Sequence, residues 1–199
     1  MKPEKLREFE RHLFKAKANN PGAWFMTGLS LKLAADGLPT TDIDEGSHLD
    51  ILRYGSHAPV WRFLIARSIE NLIKGIIIAR LSNPIGERID KSLRTHNLTK
   101  LNDLAGIECD DKSRVLLNRL RPFCEWIGDY PVPVSAIEYK IEDTQSNFAH
   151  AELQHLWNFF ARELFAVGWI TANDGAKLSL WDYAGDALRR QLGELPRNY

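Results

Sequence analysis

His96 is the residue in this sequence whose surroundings best fit chemistry. It stands between Arg94 and Lys100, with Arg88 and Lys91 upstream and Asn97 beside it. An imidazole passes protons near neutral pH, while guanidinium and ammonium groups hold phosphate oxygens. The candidate catalytic residues are therefore His96, Arg94 and Arg88. Lys91, Arg94, His96, Asn97 and Lys100 are candidate binding residues for a polyanion such as RNA, or for a nucleotide.

Other constellations carry less. His150 and His155 lie five apart on one helical segment, a spacing that turns them to different faces, without a carboxylate placed for a metal. Arg7 and His12 have the Arg-x4-His spacing that some ribonucleases use, but in a charge-rich helix. The cluster Asp42-x-Asp44-Glu45-Gly46 resembles the start of a calcium loop, yet Gly46 and Arg53 occupy the fifth and twelfth positions, where ligands are needed. Cys109 and Cys124 are too far apart for a CxxC motif and read as reduced packing thiols. The sequence contains no GxxxxGK[ST], GxGxxG, GxSxG or HExxH signature. No metal or cofactor is expected.

The elements that must position His96 are helical. Leu6, Phe9, Leu13 and Phe14 recur at helical spacing up to Ala18; Asn20 then suits an N-cap and Pro21 the first position of a second helix, which Asp36-Gly37 closes. Thr40 to His57 reads as a long acidic loop. The strongest pattern runs from Val60 to Leu81, where Trp61, Ile65, Ile69, Leu72, Ile73, Ile76 and Ile77 form a broad apolar stripe. Arg67, Glu70, Asn71 and Lys74 fall three and four apart on the other side. A short helix over Leu98 to Ala105 follows the turn at His96. Asp110 or Asp111 caps a fifth helix that reaches Trp126, with a kink expected at Pro122. Gly128 to Pro133 turns the chain, and a sixth helix spans about Thr144 to Gly168. Residues 171–199 read as a looser tail with one short helix near Trp181 to Leu192. No βαβ alternation appears, so the class is all-α: an antiparallel bundle of five to six helices in a single domain, with N-terminal helices and acidic loop over 1–57, a core over 58–170 and the tail.

Composition supports a globular chain. Of 199 residues, 44% are hydrophobic, with six Trp and nine Phe, enough apolar surface to offset chain entropy. No strictly apolar run exceeds four residues, the length of Ile76 to Ala79, which is far below a bilayer span. Both charges mix at the N-terminus without the apolar core of an export signal. A cytoplasmic protein with no membrane partner is expected. Net charge is zero but uneven: Arg53 to Pro122 holds 13 Lys+Arg against 7 Asp+Glu, whereas Phe123 to Tyr199 holds 6 against 11. A basic half of this kind fits either a nucleic-acid surface or a partner protein.

Three stretches in order carry a family resemblance: Ser68-Ile69-Glu70-Asn71-Leu72-Ile73-Lys74-Gly75, then Thr95-His96-Asn97-Leu98-Thr99-Lys100-Leu101, then Leu116-x3-Leu120 leading to Trp126-Ile127-Gly128-Asp129-Tyr130-Pro131. Together they resemble HEPN domains, helical bundles associated with nucleotide or RNA binding, over about Val60 to Leu164. The resemblance adds Glu70 and Lys74 to the binding residues. It implies an up-and-down helical core, a homodimer, and a prokaryotic defence or toxin–antitoxin setting, with RNA, a nucleotide or a cognate partner protein as ligand. Asn97 stands where the family has Asp and Asp129 where it has Arg, and no Arg-x4-6-His falls in the matching helices. The residues thus favour a binding or regulatory module. The alternative is a metal-independent ribonuclease using His96 with Arg88 or Arg94.

Overall fold

Three polar side chains start helices, two of them, Asn20 and Asp110, at positions the sequence predicts and the third, Asn97, at a position read there as a binding residue. The Asn20 side chain accepts from the backbone of Gly22 at 3.0 Å, that of Asn97 from Lys100 at 3.0 Å, and that of Asp110 from Ser113 at 2.8 Å. Each satisfies an N–H that the first helical turn leaves without a partner. The computed structural model describes residues 3–38, 57–127, 150–171 and 176–192. The loop carrying the calcium-like Asp42 cluster and the Gly128 to Pro133 segment lie outside the described residues.

Eight α-helices appear among the described residues. They are α1 (Pro3–Ala18), α2 (Pro21–Asp36), α3 (His57–Arg80), α4 (Leu98–Ala105), α5 (Asp111–Pro122), α6 (His150–Val167), α7 (Leu180–Tyr183) and α8 (Asp186–Leu192). The protein is all-α, as its periodicity predicts, apart from one small hairpin. A tight 3-10 turn, Lys91–Arg94, precedes α4. Gly106 closes α4 with φ of 63°, a left-handed conformation that a side chain would strain. Pro122 ends the regular part of α5, and the next residues, Phe123–Ile127, form a π turn. A proline has no N–H for the preceding turn, so the expected kink takes this form.

Helix α3 is the axis of the core. Ile69, Leu72, Ile73 and Ile76 are fully buried, and Trp61, Ile65 and Ile77 nearly so. Helix α2 crosses it antiparallel, Gly28 beside Ser68 and Trp24 beside Gly75. The approach at Gly28 is close enough that a Cβ there would lie 3.1 Å from the Ser68 carbonyl. Helix α6 runs parallel to α3: Trp61 stacks on His150, Ser68 bonds Trp157, and Gly75 faces Leu164, each contact two turns beyond the last.

The tail carries the helix expected near Trp181 to Leu192, as two short ones, and adds a hairpin the sequence does not predict. Trp169–Thr171 (β1) and Lys177–Ser179 (β2) pair antiparallel, and α7 and α8 follow, placing Leu180, Ala184 and Leu192 in the core. Three-residue strands are too short to display an alternating pattern, so the sequence predicts no strand here. The residues between them, Asn173-Asp174-Gly175, are of the types that favour a hairpin reversal and were the available signal.

A candidate anion-binding surface around His96

The segment from Ile85 to Leu101 is fastened by apolar anchors with charges between them. Ile85, Leu93, Leu98 and Leu101 are buried, while Arg88, Lys91, Arg94 and Lys100 are exposed. Asp90 accepts from the backbone and the hydroxyl of Ser92 and so fixes the turn that presents Lys91 and Arg94. Those two bonds hold the Asp90 carboxyl below its usual range. Among the described residues none of the four cations makes an ion pair or hydrogen bond through its side chain. Glu87 and Asp90 lie on the same exposed segment, and Arg94 acts on the Asp90 carboxyl, but the four cations outnumber these two carboxylates and, among the described residues, none is held in an ion pair, so the segment presents a net positive charge to an anionic ligand.

Behind them lies a buried ionic cluster. Glu70 is central: Lys74 donates to it at 2.5 Å and Arg67 at 2.9 Å, and His96 Nδ1 lies 3.1 and 3.2 Å from its two oxygens. Glu70 and Lys74 are 4% and 6% exposed. Burial pushes the Glu70 carboxyl upward most strongly, but Lys74, Arg67 and His96 together outweigh it and hold the group below the usual glutamate range. Arg67 also donates to His96 Nδ1 at 2.5 Å. With the ring neutral, Nδ1 accepts from Arg67; with both ring nitrogens protonated, Nδ1 donates to Glu70. Either pattern fastens Nδ1 to the interior and leaves Nε2 without a partner among the described residues, on a side chain 42% exposed.

The sequence candidates thus separate into layers. Arg88, Lys91, Arg94, Lys100 and His96 face outward, whereas Glu70 and Lys74 neutralise each other behind the imidazole. Asn97 is 7% exposed and its side-chain oxygen is used as the α4 cap, also accepting from Thr99. Arg67 escaped notice as a site residue, although its place three residues before Glu70 on the polar row was the signal. Cys124 has the packing role read from the sequence: the π turn brings it against Glu70, and burial pushes its thiol well up, so it is an inert group. Cys109 is likewise raised, chiefly by burial, and neither cysteine forms a disulfide.

His150 and His155 stay apart from this surface. His150 lies against Trp61 and His155 lines a different cleft with Asp110 and Glu152. Among the described residues no group of three His, Cys, Asp or Glu could hold a metal ion, and no helix is long and apolar enough to cross a membrane. No family model, no curated protein and no solved structure matches the chain. The fold and the site therefore define a helical bundle with a cationic, histidine-bearing surface, and any function is argued from that surface.

Proposed function

We propose that this protein is a HEPN-like binding or regulatory module, in a prokaryotic defence or toxin–antitoxin setting, that takes RNA on the His96 surface. The observation that carries this reading is the set of exposed cations Arg88, Lys91, Arg94 and Lys100 on one anchored segment, none of them in an ion pair among the described residues and together outnumbering the nearby Glu87 and Asp90. Phosphates meeting them release condensed counterions, so affinity falls with salt. Four contacts to a single strand give a log–log slope of about −3. Charge reversal by Arg88→Glu with Arg94→Glu is expected to abolish retention of a mixed-sequence single-stranded RNA in a filter assay while the helical circular dichroism spectrum stays unchanged. Retention by the double variant at wild-type strength contradicts the reading, and loss of RNA binding in the wild type turns it toward the partner-protein ligand.

The ribonuclease alternative draws on one specific feature: Glu70 and Arg67 orient His96 through Nδ1, leaving Nε2 to exchange a proton with substrate. Metal-independent cleavage that His96→Ala removes, with RNA retention intact, is the result that would favour it.

We further propose a homodimer built on α1. Leu6, Phe9 and Leu13 are exposed along one side of that helix, away from Phe14 and Ala18, which face the bundle. The first half of α1 holds Glu4, Glu8 and Glu10 against Lys5 and Arg7, and the charged residues of its second half are all basic, Arg11, Lys15 and Lys17, so an antiparallel second copy of α1 sets the slightly acidic half against the basic one. Light scattering is expected to report a dimer that Phe9→Glu converts to monomer; a wild-type monomer at micromolar concentration rules the dimer out.

A further inference from the structure

The fold builds a second concave site at the far end of α3, remote from His96. Its walls are the α1–α2 turn, the last turn of α3 with Leu81 and Pro84, and one face of the hairpin, and its volume is about 690 Å³. That volume lies within the range of small-molecule sites. The site is held open by fixed walls. Asn19 donates to the Ile85 carbonyl at 2.9 Å and accepts from the Ile85 amide at 2.5 Å, which locks the α1–α2 turn onto the segment beyond α3. On the opposite wall Ile170 packs so closely on Gly22 that a Cβ there would come within 3.0 Å, which fixes the hairpin against α2.

The chemistry of the lining is one-sided. Ile78, Leu81, Pro84 and Trp169 form an apolar wall, and the only charged side chains among the described lining residues are Lys17 and Lys177. Trp169, Thr171 and Lys177 share one face of the hairpin because residues two apart on a strand point the same way and Thr171 pairs with Lys177. Lys177 accordingly reaches back across the ladder to place its ammonium 4.0 Å from the Trp169 ring centre. A cation–π contact at an exposed site is a weak one, so the Lys177 ammonium keeps its charge for an anion. The hydroxyls of Ser82 and Thr171 make no hydrogen bond among the described residues and add donors at the rim.

We infer that this cleft binds a phosphate monoester carried on a flat apolar ring system, the phosphate between Lys17 and Lys177 and the ring against Trp169, a chemistry shared by aryl phosphates and mononucleotides. Two ammonium groups exclude a cationic ligand, and the apolar wall distinguishes this ligand from bare phosphate. The inference is independent of the RNA reading, because neither lysine belongs to the His96 surface.

Calorimetry on the full chain provides the test, with phenyl phosphate as the probe and inorganic phosphate and phenol as its separate halves. Phenyl phosphate is expected to saturate one site and to quench Trp169 fluorescence, with each half roughly tenfold weaker or more because it lacks one set of contacts. Lys17→Gln with Lys177→Gln is expected to weaken phenyl phosphate roughly tenfold or more, since charge-assisted contacts are lost. Both lysines are exposed, so folding is preserved and circular dichroism verifies it. Trp169→Leu should remove the fluorescence change, and Arg88→Glu with Arg94→Glu should leave binding intact. Adenosine monophosphate in a parallel titration separates the sources: tighter binding than phenyl phosphate assigns a mononucleotide, weaker binding a smaller aryl ester. The inference is overturned if phenyl phosphate gives no saturable heat, if inorganic phosphate binds equally well, or if the lysine double variant binds undiminished.

Discussion

Glu70→Ala is expected to lower the unfolding free energy by about 3–5 kcal/mol, the usual cost of leaving a buried charge without its partner. The orphan is Lys74, a residue only 6% exposed, whose hydrogen bond in this structure goes to Glu70. Arg67 and His96 lose the same anion but are partly solvated, and water takes its place for them. Lys74→Met should be milder, because Glu70 keeps Arg67 and His96. The decisive comparison is the double variant Glu70→Leu with Lys74→Met, which removes both charges and fills the space, and which should recover most of the loss. Urea unfolding with an unchanged m-value measures all three. A double variant as unstable as Glu70→Ala would show that shape, not charge, decides the site.

The same cluster sets an acid limb. Because the folded state holds the Glu70 carboxyl below its ordinary range, the ionised group contributes stability above that range, and the contribution is lost as pH falls through the lowered folded value. In Glu70→Gln this part of the acid dependence should disappear. An acid limb in the Gln variant as steep as in the wild type would place the proton uptake on other carboxylates.

Trp157→Ala is the second large effect, with an expected loss of about 3–5 kcal/mol, since the side chain is fully buried where α2, α3 and α6 meet. Its indole N–H donates to Ser68 Oγ at 2.7 Å, and the Ser68 hydroxyl in turn donates to the Gly28 carbonyl at 2.6 Å. Lys32, buried and paired with Asp36, holds its ammonium 5.5 Å from the Trp157 ring centre. Trp157→Phe keeps most of the packing and should lose only the hydrogen bond, about 1–2 kcal/mol. Thermal unfolding of the two variants distinguishes cavity from hydrogen bond. Equal losses for Ala and Phe would mean that the Ser68 contact, and not the volume, dominates.

Much of the scaffold was readable locally. The helix starts at Asn20, Asn97 and Asp110 rest on side chains that cap N–H groups two or three residues ahead, and the buried row of α3 rests on neighbours three and four apart. Both are contacts between residues close along the chain, so residue type and spacing alone determine them. The outward cations around His96 were legible for the same reason. What packing decided lies between distant residues. Glu70 meets His96 across 26 positions, and Trp157 meets Ser68 across 89. No helical periodicity encodes which polar row is covered. Glu70 and Lys74 fall on the polar row of their helix, and they are buried, each paired, because neighbouring elements close over them. The hairpin and the cleft beside Trp169 are of the same kind: their strands are too short to show a period, and their walls come from three separate parts of the chain that only the tertiary fold brings together.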